Sequence, residues 1–98
     1  MLIENDKVIK NQLMGFFYQA LAGEKEGLKT MEIGLLTLPP GTETPVNEHP
    51  GEVVVITLHG TGHASIGKYH REDLWPNTTL VIRPHVSRQV AKPVRKTW

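Results

Sequence analysis

The segment VVVIT, residues 53–57, constrains the fold more than any other part of this chain. Its five consecutive β-branched side chains disfavour a helix and pack well on a pleated sheet. A strand without polar alternation is typical of one that is buried on both faces or that lies inside a closed sheet. Turn signals bracket it, with PPG at 39–41 before and GTG at 60–62 after. We therefore predict a central β-strand here.

Turn signals recur along the rest of the chain at the spacing of roughly 8–12 residues that is typical of all-β sandwiches and barrels. Residues 13–22 are compatible with either a strand or a helix, and we interpret REDLWPNT at 71–78 as a turn. The 98 residues predict one domain. We expect its barrel at about 28–90 and an N-terminal strand or arm at 1–27.

Composition excludes several classes of function. The net charge is only +1, and Lys and Arg are scattered until the stretch KPVRK, so we expect no nucleic-acid partner. The absence of cysteine excludes disulfides, thiolate ligands and a cysteine nucleophile. No apolar run approaches the length of a membrane span, and the first residues lack a signal-peptide profile. We therefore expect a cytoplasmic protein without a membrane partner.

Polar residues occur where a barrel interior is expected. Glu43, Asn47 and His49 recur with period 2, which predicts that they share one strand face. Arg88 lies in the middle of an alternating Val-x-Arg-x-Val pattern that would carry it inward. A buried guanidinium needs a partner, and Glu43 is the expected one. Two alternatives stay open, namely an anionic ligand on Arg88 or an edge strand whose Arg88 reaches water.

Five histidines raise the possibility of a metal site. Imidazole and carboxylate ligands would suit Ni, Fe, Mn, Cu or Zn, but a site needs three or four of them to converge. His49 is a plausible single ligand. The other four histidines lie beside turn signals, and we interpret each as a solvated turn residue: His59, His63, His70 and His85.

The stretch PPGTETPVNEHPGEVVVITLHGTG resembles the first motif of the cupin family, G-x5-H-x-H-x3,4-E-x6-G. Gly41 opens the motif, Asn47 stands at the first His and His49 at the second. Val53 stands at the Glu, and Gly60 is the closing Gly. The later stretch IRPHVSRQV is similar to the second motif. The resemblance covers about residues 28–90 and implies an antiparallel β-barrel of the jelly-roll, or double-stranded β-helix, type.

The resemblance also implies where a metal would bind. Family members with a metal use two His, a Glu and a third His, and Arg88 stands at the position of that third His. Of the four positions only His49 keeps its ligand, and Arg88 would place a permanent cation where the metal should lie. We therefore expect no metal cofactor. The alternative is a divalent transition metal held by a reduced ligand set centred on His49.

These observations predict a metal-independent barrel that binds a small anionic or sugar-like metabolite. The candidate ligand-binding residues are Glu43, Asn47, His49, Thr57 and Arg88. The barrel could be a binding or sensor module, or an isomerase-like enzyme with His49 as the base. A metal-dependent dioxygenase or isomerase is the main alternative. The third possibility is a structural scaffold whose interior is filled by an Arg88–Glu43 pair.

A homodimer is the expected assembly, because open sheet edges and an apolar N-terminal segment can pack on a neighbour. The segment contains three adjacent aromatic residues, Phe16, Phe17 and Tyr18. The alternative is that these aromatics close the barrel of their own chain.

Overall fold

The computed structural model describes residues 1–93, so the last five residues, including the end of the KPVRK stretch, lie outside it. The regular structure of the described part consists of antiparallel strands and two single-turn 3₁₀ helices, Asn5–Lys7 and Glu24–Glu26. None of its helices is long and apolar enough to cross a membrane. The all-β prediction is confirmed. The chain divides into two compact units, Met1–Pro39 and a second that begins at Pro40, and a single domain over 1–98 stays a prediction.

The first unit contains a three-stranded sheet. Its strands are β1 (Asn11–Leu13), β2 (Phe16–Ala22) and β3 (Ile33–Thr37), with β2 in the centre. Met14 and Gly15 connect β1 to β2, and both have positive φ, 49° and 89°. Two-residue hairpin turns of this kind require positive φ at both positions. The ambiguous segment 13–22 is therefore a hairpin and not a helix.

A buried amide attaches the N-terminal segment to this sheet. Gln19 on β2 is only 3% exposed. Its side-chain amide donates hydrogen bonds of 3.0 Å to the carbonyl oxygens of Asn5 and Val8. Both donors of the amide are thereby satisfied, which a buried polar group requires. The first residues are ordered by this contact.

Tyr18 lies across Gly34 on the neighbouring strand. A Cβ atom placed on Gly34 would overlap the Tyr18 ring and hydroxyl. Glycine in a strand often marks such a close approach. The sheet is irregular on the β2 side, where the pairing with β3 shifts between Ala20 and Ala22.

The second unit contains two antiparallel sheets. The four-stranded sheet has the order β4 (Thr42–Glu43), β9 (Arg88–Lys92), β6 (Gly62–Ile66) and β7 (His70–Leu74). The two-stranded sheet pairs β5 (Val53–Thr57) with β8 (Thr78–Ile82). One face of this sheet, which we call the inner face, is half-buried to buried, and Ile82 on it is 1% exposed. Its residues are Val53, Val55, Thr57, Thr78, Leu80 and Ile82. The four-stranded sheet carries the other two buried apolar residues of this unit, Ala64 and Leu74.

Two strand predictions need correction. The VVVIT segment is a strand, but its burial alternates, with Val54 and Ile56 exposed, so it is not buried on both faces. Only the face that carries Val53, Val55 and Thr57 is half-buried. Residues 71–78 are not one turn, because His70–Leu74 pairs along its whole length with β6. Main-chain hydrogen bonds form this strand although three of its five side chains are charged and only Leu74 is buried.

We predict that Gly34→Ala destabilises the protein by about 1–3 kcal/mol, because the new methyl group overlaps the Tyr18 ring. Urea unfolding measures the change. In a Tyr18→Ala background the same substitution should cost much less, because the ring has been removed. An equal cost in both backgrounds would contradict the proposed overlap.

A second prediction concerns alkaline pH. Burial, and secondly the negative charge of Glu32, raise the pKa of Tyr18 above its ordinary value of 10.0. The folded state therefore favours the neutral phenol. This contribution to stability is fully present below about pH 10 and is lost as the pH rises through the raised pKa. Tyr18→Phe should show a shallower alkaline decline in the free energy of unfolding.

Tyr69→Phe is the matched control for this experiment, because Tyr69 is 98% exposed. We expect its alkaline decline to equal that of the wild type. If Tyr18→Phe and Tyr69→Phe gave the same profile, the folded environment of Tyr18 would not be responsible.

Candidate ligand-binding site

The backbone of Arg88 is held by a pair of main-chain hydrogen bonds to Asn47. It lies opposite Ile66 of β6, and on its other side it forms an antiparallel bridge with Asn47. The Asn47 N–H donates to the Arg88 carbonyl at 2.9 Å, and the Arg88 N–H donates to the Asn47 carbonyl at 2.7 Å. Arg88 is half-buried. The position is therefore not an edge from which the side chain is free to extend into water.

The guanidinium group of Arg88 has an unsatisfied donor. Its Nη1 atom is buried and has no hydrogen-bond partner among residues 1–93. Guanidinium is permanently charged and offers only donors. A buried charged donor without an acceptor is costly, so native proteins rarely leave one unpaired. This donor therefore needs an acceptor that residues 1–93 do not supply.

Glu43 does not supply that acceptor, which corrects our prediction. Glu43 lies opposite Ala91, whereas Asn47 lies opposite Arg88. Positions 88 and 91 are three apart on β9, whereas their partners 47 and 43 are four apart. The segment from Glu43 to Asn47 therefore contains one residue more than the part of β9 with which it pairs. Side chains three apart on a strand point to opposite faces. Glu43 and Asn47 are thus on opposite faces, and within the described chain no ion pair joins Glu43 to Arg88.

The extra residue is a β-bulge with a local chemical cause. The Thr44 N–H donates to the Val90 carbonyl at 2.8 Å, and the Val90 N–H donates to the Thr44 side-chain hydroxyl at 2.9 Å. The hydroxyl thus takes the place of a main-chain acceptor. Pro45 follows and has no N–H to continue the ladder. The Thr-Pro pair therefore shifts the register and separates Glu43 from Arg88.

The ring of His49 is held by a local hydrogen bond. Its Nδ1 accepts the Gly51 N–H at 2.9 Å. Because a main-chain N–H only donates, Nδ1 carries no proton in this arrangement, and the ring hydrogen is on Nε2. The ring is exposed, so Nε2–H is available as a donor. The His49 carbonyl accepts the His85 N–H at 2.8 Å, which joins residues 47–49 to residues 84–88.

Two residues near this junction were not among our candidates. Glu48 follows Asn47, and its carboxylate lies 3.7 Å from Nδ1 of His85. His85 has a φ of 62°, which is uncommon for a residue other than glycine. We predicted His85 as a solvated turn residue, and its side chain is indeed exposed. The preceding Pro84 indicated the turn in the sequence. No sequence pattern indicated that His85 lies close to Glu48.

Thr57 lies apart from this junction. It ends β5 opposite Thr78, and its carbonyl accepts the Asn77 N–H at 2.9 Å. Thr57 shares the half-buried inner face of β5 with Val53. No hydrogen bond in the described part of the chain connects it to Arg88. The structure thus brings Asn47, His49 and Arg88 to one junction and leaves Glu43 and Thr57 outside it.

The residues present do not fit the metal site that the family resemblance implies. Only His49 of the four positions is a ligand type, and Val53 has no donor atom. Arg88 contributes a buried positive charge at the fourth position. Across residues 1–93, no group of three or more His, Asp or Glu side chains could hold a metal ion.

Comparison with known proteins identifies a sequence relative and a structural neighbour. The chain is 37% identical to auxin-binding protein 1 of Arabidopsis thaliana over 57 residues, which are 57% of this chain and 29% of that protein. The chain thus spans less than a third of this relative. The structure resembles the polyketide cyclase RemF from Streptomyces resistomycificus with a TM-score of 0.79. That match covers 95% of this chain and 70% of the cyclase at 15% identity, so it shows the fold alone.

The family assignment rests on most of the sequence. The family model described as auxin binding protein matches residues 9–95. The match includes both stretches that resemble the cupin motifs, and it includes the junction at Arg88. The chain therefore belongs to the auxin-binding protein family, which is a family of cupin domains.

Proposed function

We propose that this domain binds a small organic anion without a metal ion and that Arg88 holds the anionic group. The unsatisfied, buried Nη1 atom of Arg88 carries the proposal. An ordinary structural arginine would have an acceptor from its own chain. A carboxylate would supply that acceptor, because its two oxygens match the planar fork of the guanidinium.

The neighbouring polar groups favour an anion over a neutral sugar. Oδ1 of Asn47 accepts the Glu48 N–H at 2.8 Å, which leaves the side-chain NH₂ of Asn47 as a donor. His49 offers Nε2–H for the reason given above. Asn47, His49 and Arg88 thus all present donors. A sugar hydroxyl would need acceptors as well, whereas an anion needs only donors.

The nonpolar part of the ligand would contact the inner face of the β5–β8 sheet. This face presents Val53, Val55 and Thr57 together with Leu80 and Ile82. Ligand sites commonly combine such apolar walls with a few polar groups. One relative is named for binding auxin, which supports a small molecule rather than a macromolecule as the ligand.

The alternatives have less support in the structure. A scaffold filled by an Arg88–Glu43 pair conflicts with the register that separates the two residues. A metal-dependent dioxygenase or isomerase would have to use His49 although no group of three or more His, Asp or Glu side chains in residues 1–93 could hold a metal ion. We propose no catalytic step, because no acid is hydrogen-bonded to His49 in the described part of the chain.

A comparison of two arginine substitutions tests the anion site. We expect Arg88→Gln to weaken the binding of responsive carboxylates at least about tenfold, since a hydrogen bond to a charged group contributes about 1.5–3 kcal/mol. Calorimetric titration with a panel of aliphatic and aromatic carboxylates measures the affinity. Arg83→Gln is the matched control because Arg83 is exposed on another strand end. Equal affinities in Arg88→Gln and the wild type would contradict the proposal.

The stability of the ligand-free protein provides a second readout. Nη1 makes no hydrogen bond among residues 1–93, so Arg88→Gln should not lower the free energy of unfolding and should raise it slightly. Metal analysis of the purified protein distinguishes our proposal from the metal-dependent alternative. Stoichiometric metal that is lost in His49→Ala would favour the metal-dependent enzyme over our proposal.

A further inference from the structure

We propose that the ligand carries a hydrogen-bond donor at the end opposite its carboxylate, and that a His70–Glu72 pair on β7 accepts this donor. The inference rests on the proposed function, because it needs Arg88 to hold the carboxylate. It adds a second polar subsite and narrows the ligand to a carboxylic acid with a distal hydroxyl or amino group. Neither residue of the pair was among our candidates, and His70, which we expected in a turn, is the first residue of β7.

The strand register places the pair on the same face of the four-stranded sheet as Arg88. Arg88 lies opposite Ile66 of β6, and Ile66 lies opposite His70 of β7. Residues directly opposite each other in a ladder share a face of the sheet. Glu72 is two residues beyond His70 on the same strand, so it shares that face as well. Arg88, Ile66 and His70 therefore form one row across three strands.

This face is the covered face of the sheet, and the row lies toward its open end. Ala64 and Leu74, which alternation places on the same face, are 0% and 7% exposed. Along β7 the exposure of the side chains then increases, to 47% at Glu72 and 63% at His70. Arg88 is half-buried. A ligand can therefore reach the row from solvent while its apolar part is directed toward the buried residues.

The His70–Glu72 pair presents hydrogen-bond acceptors. Nε2 of His70 is hydrogen-bonded to Oε1 of Glu72. A carboxylate only accepts, so Nε2 carries the ring hydrogen and donates it. In the neutral ring Nδ1 is then an acceptor, and Oε2 of Glu72 is a second one. The two side chains form no other hydrogen bond or ion pair with residues 1–93, so both acceptors are left for a donor on a ligand.

The two ends of the row thus have opposite hydrogen-bonding character. The junction at Arg88 presents donors, the pair presents acceptors, and the apolar side chain of Ile66 lies between them. The Cα atoms of Arg88 and His70 are two strand spacings apart, roughly 10 Å. A carboxylate with a short apolar middle and a distal hydroxyl or amino group matches all three parts. A dicarboxylate does not, because its second charge would meet the carboxylate of Glu72.

The other face of β7 provides a matched control. Arg71 and Asp73 alternate with the pair and therefore lie on the opposite face. Nε of Arg71 is 3.8 Å from Oδ1 of Asp73, so this carboxylate already has a cationic partner. Asp73→Ala removes a carboxylate from the same strand without changing the face of Arg88.

Calorimetric titration of the full chain with straight-chain carboxylates of about four to eight carbons, and with their ω-hydroxy and ω-amino derivatives, tests the inference. At the best chain length the wild type should bind both derivatives at least about fivefold more tightly than the parent acid. Glu72→Ala should remove this preference and leave the affinity for the parent acid unchanged. His70→Ala should reduce the preference as well, and Asp73→Ala should retain it.

The outcomes distinguish this inference from the proposed function. If Arg88→Gln weakens binding of the parent acid but the wild type shows no preference for the derivatives, only the inference is overturned. The same holds if Glu72→Ala keeps the preference, or if the dicarboxylate of the best length binds as tightly as the ω-amino acid. If no chain length binds, or if Arg88→Gln changes no affinity, the proposed function is overturned and the inference with it.

Discussion

The pair of main-chain hydrogen bonds between Asn47 and Arg88 is the contact on which the candidate site depends. It closes the end of the four-stranded sheet and fixes the backbone of Arg88 on the side away from β6. From this position the side chain is half-buried, and its Nη1 atom is buried without a partner among residues 1–93. The unsatisfied Nη1 atom thus lowers the stability of the ligand-free fold, and a bound acceptor would remove this destabilisation. Such a cost is a common property of functional sites.

Much of the fold could be predicted from local chemistry. The β-branched run at 53–57 and the turn residues around it identified β5, and the resemblance to the cupin motifs identified the fold class. Local chemistry was insufficient where pairing decides the structure. His70–Leu74 is a strand because β6 offers it a ladder, and its charged side chains contained no signal of that. Likewise, burial of only one face of β5 depends on what packs against its sheet, which the β-branched run does not indicate.

Strand pairing also decides which predicted residues meet at the candidate site. Asn47, His49 and Arg88 were predicted from spacing and resemblance, and the structure brings them to one junction. Glu43 was predicted on the same face from a period of two. That argument assumes an uninterrupted strand, and the bulge at Thr44 interrupts it. The pairing of Glu48 with His85 depends on a contact between residues far apart in sequence, which periodicity alone does not reveal.

The bulge also has a consequence for how such a site could be gained or lost. As the strands pair, Glu43 lies opposite Ala91, on the far side of the sheet from the guanidinium. If the strand continued from Asn47 without the bulge, Glu43 would lie opposite Lys92 and share the face of Arg88, so the two charges could neutralise each other. An internal salt bridge would then occupy the place of a ligand. Loss of the bulge alone, with Glu43 and Arg88 unchanged, would fill the proposed binding site from within.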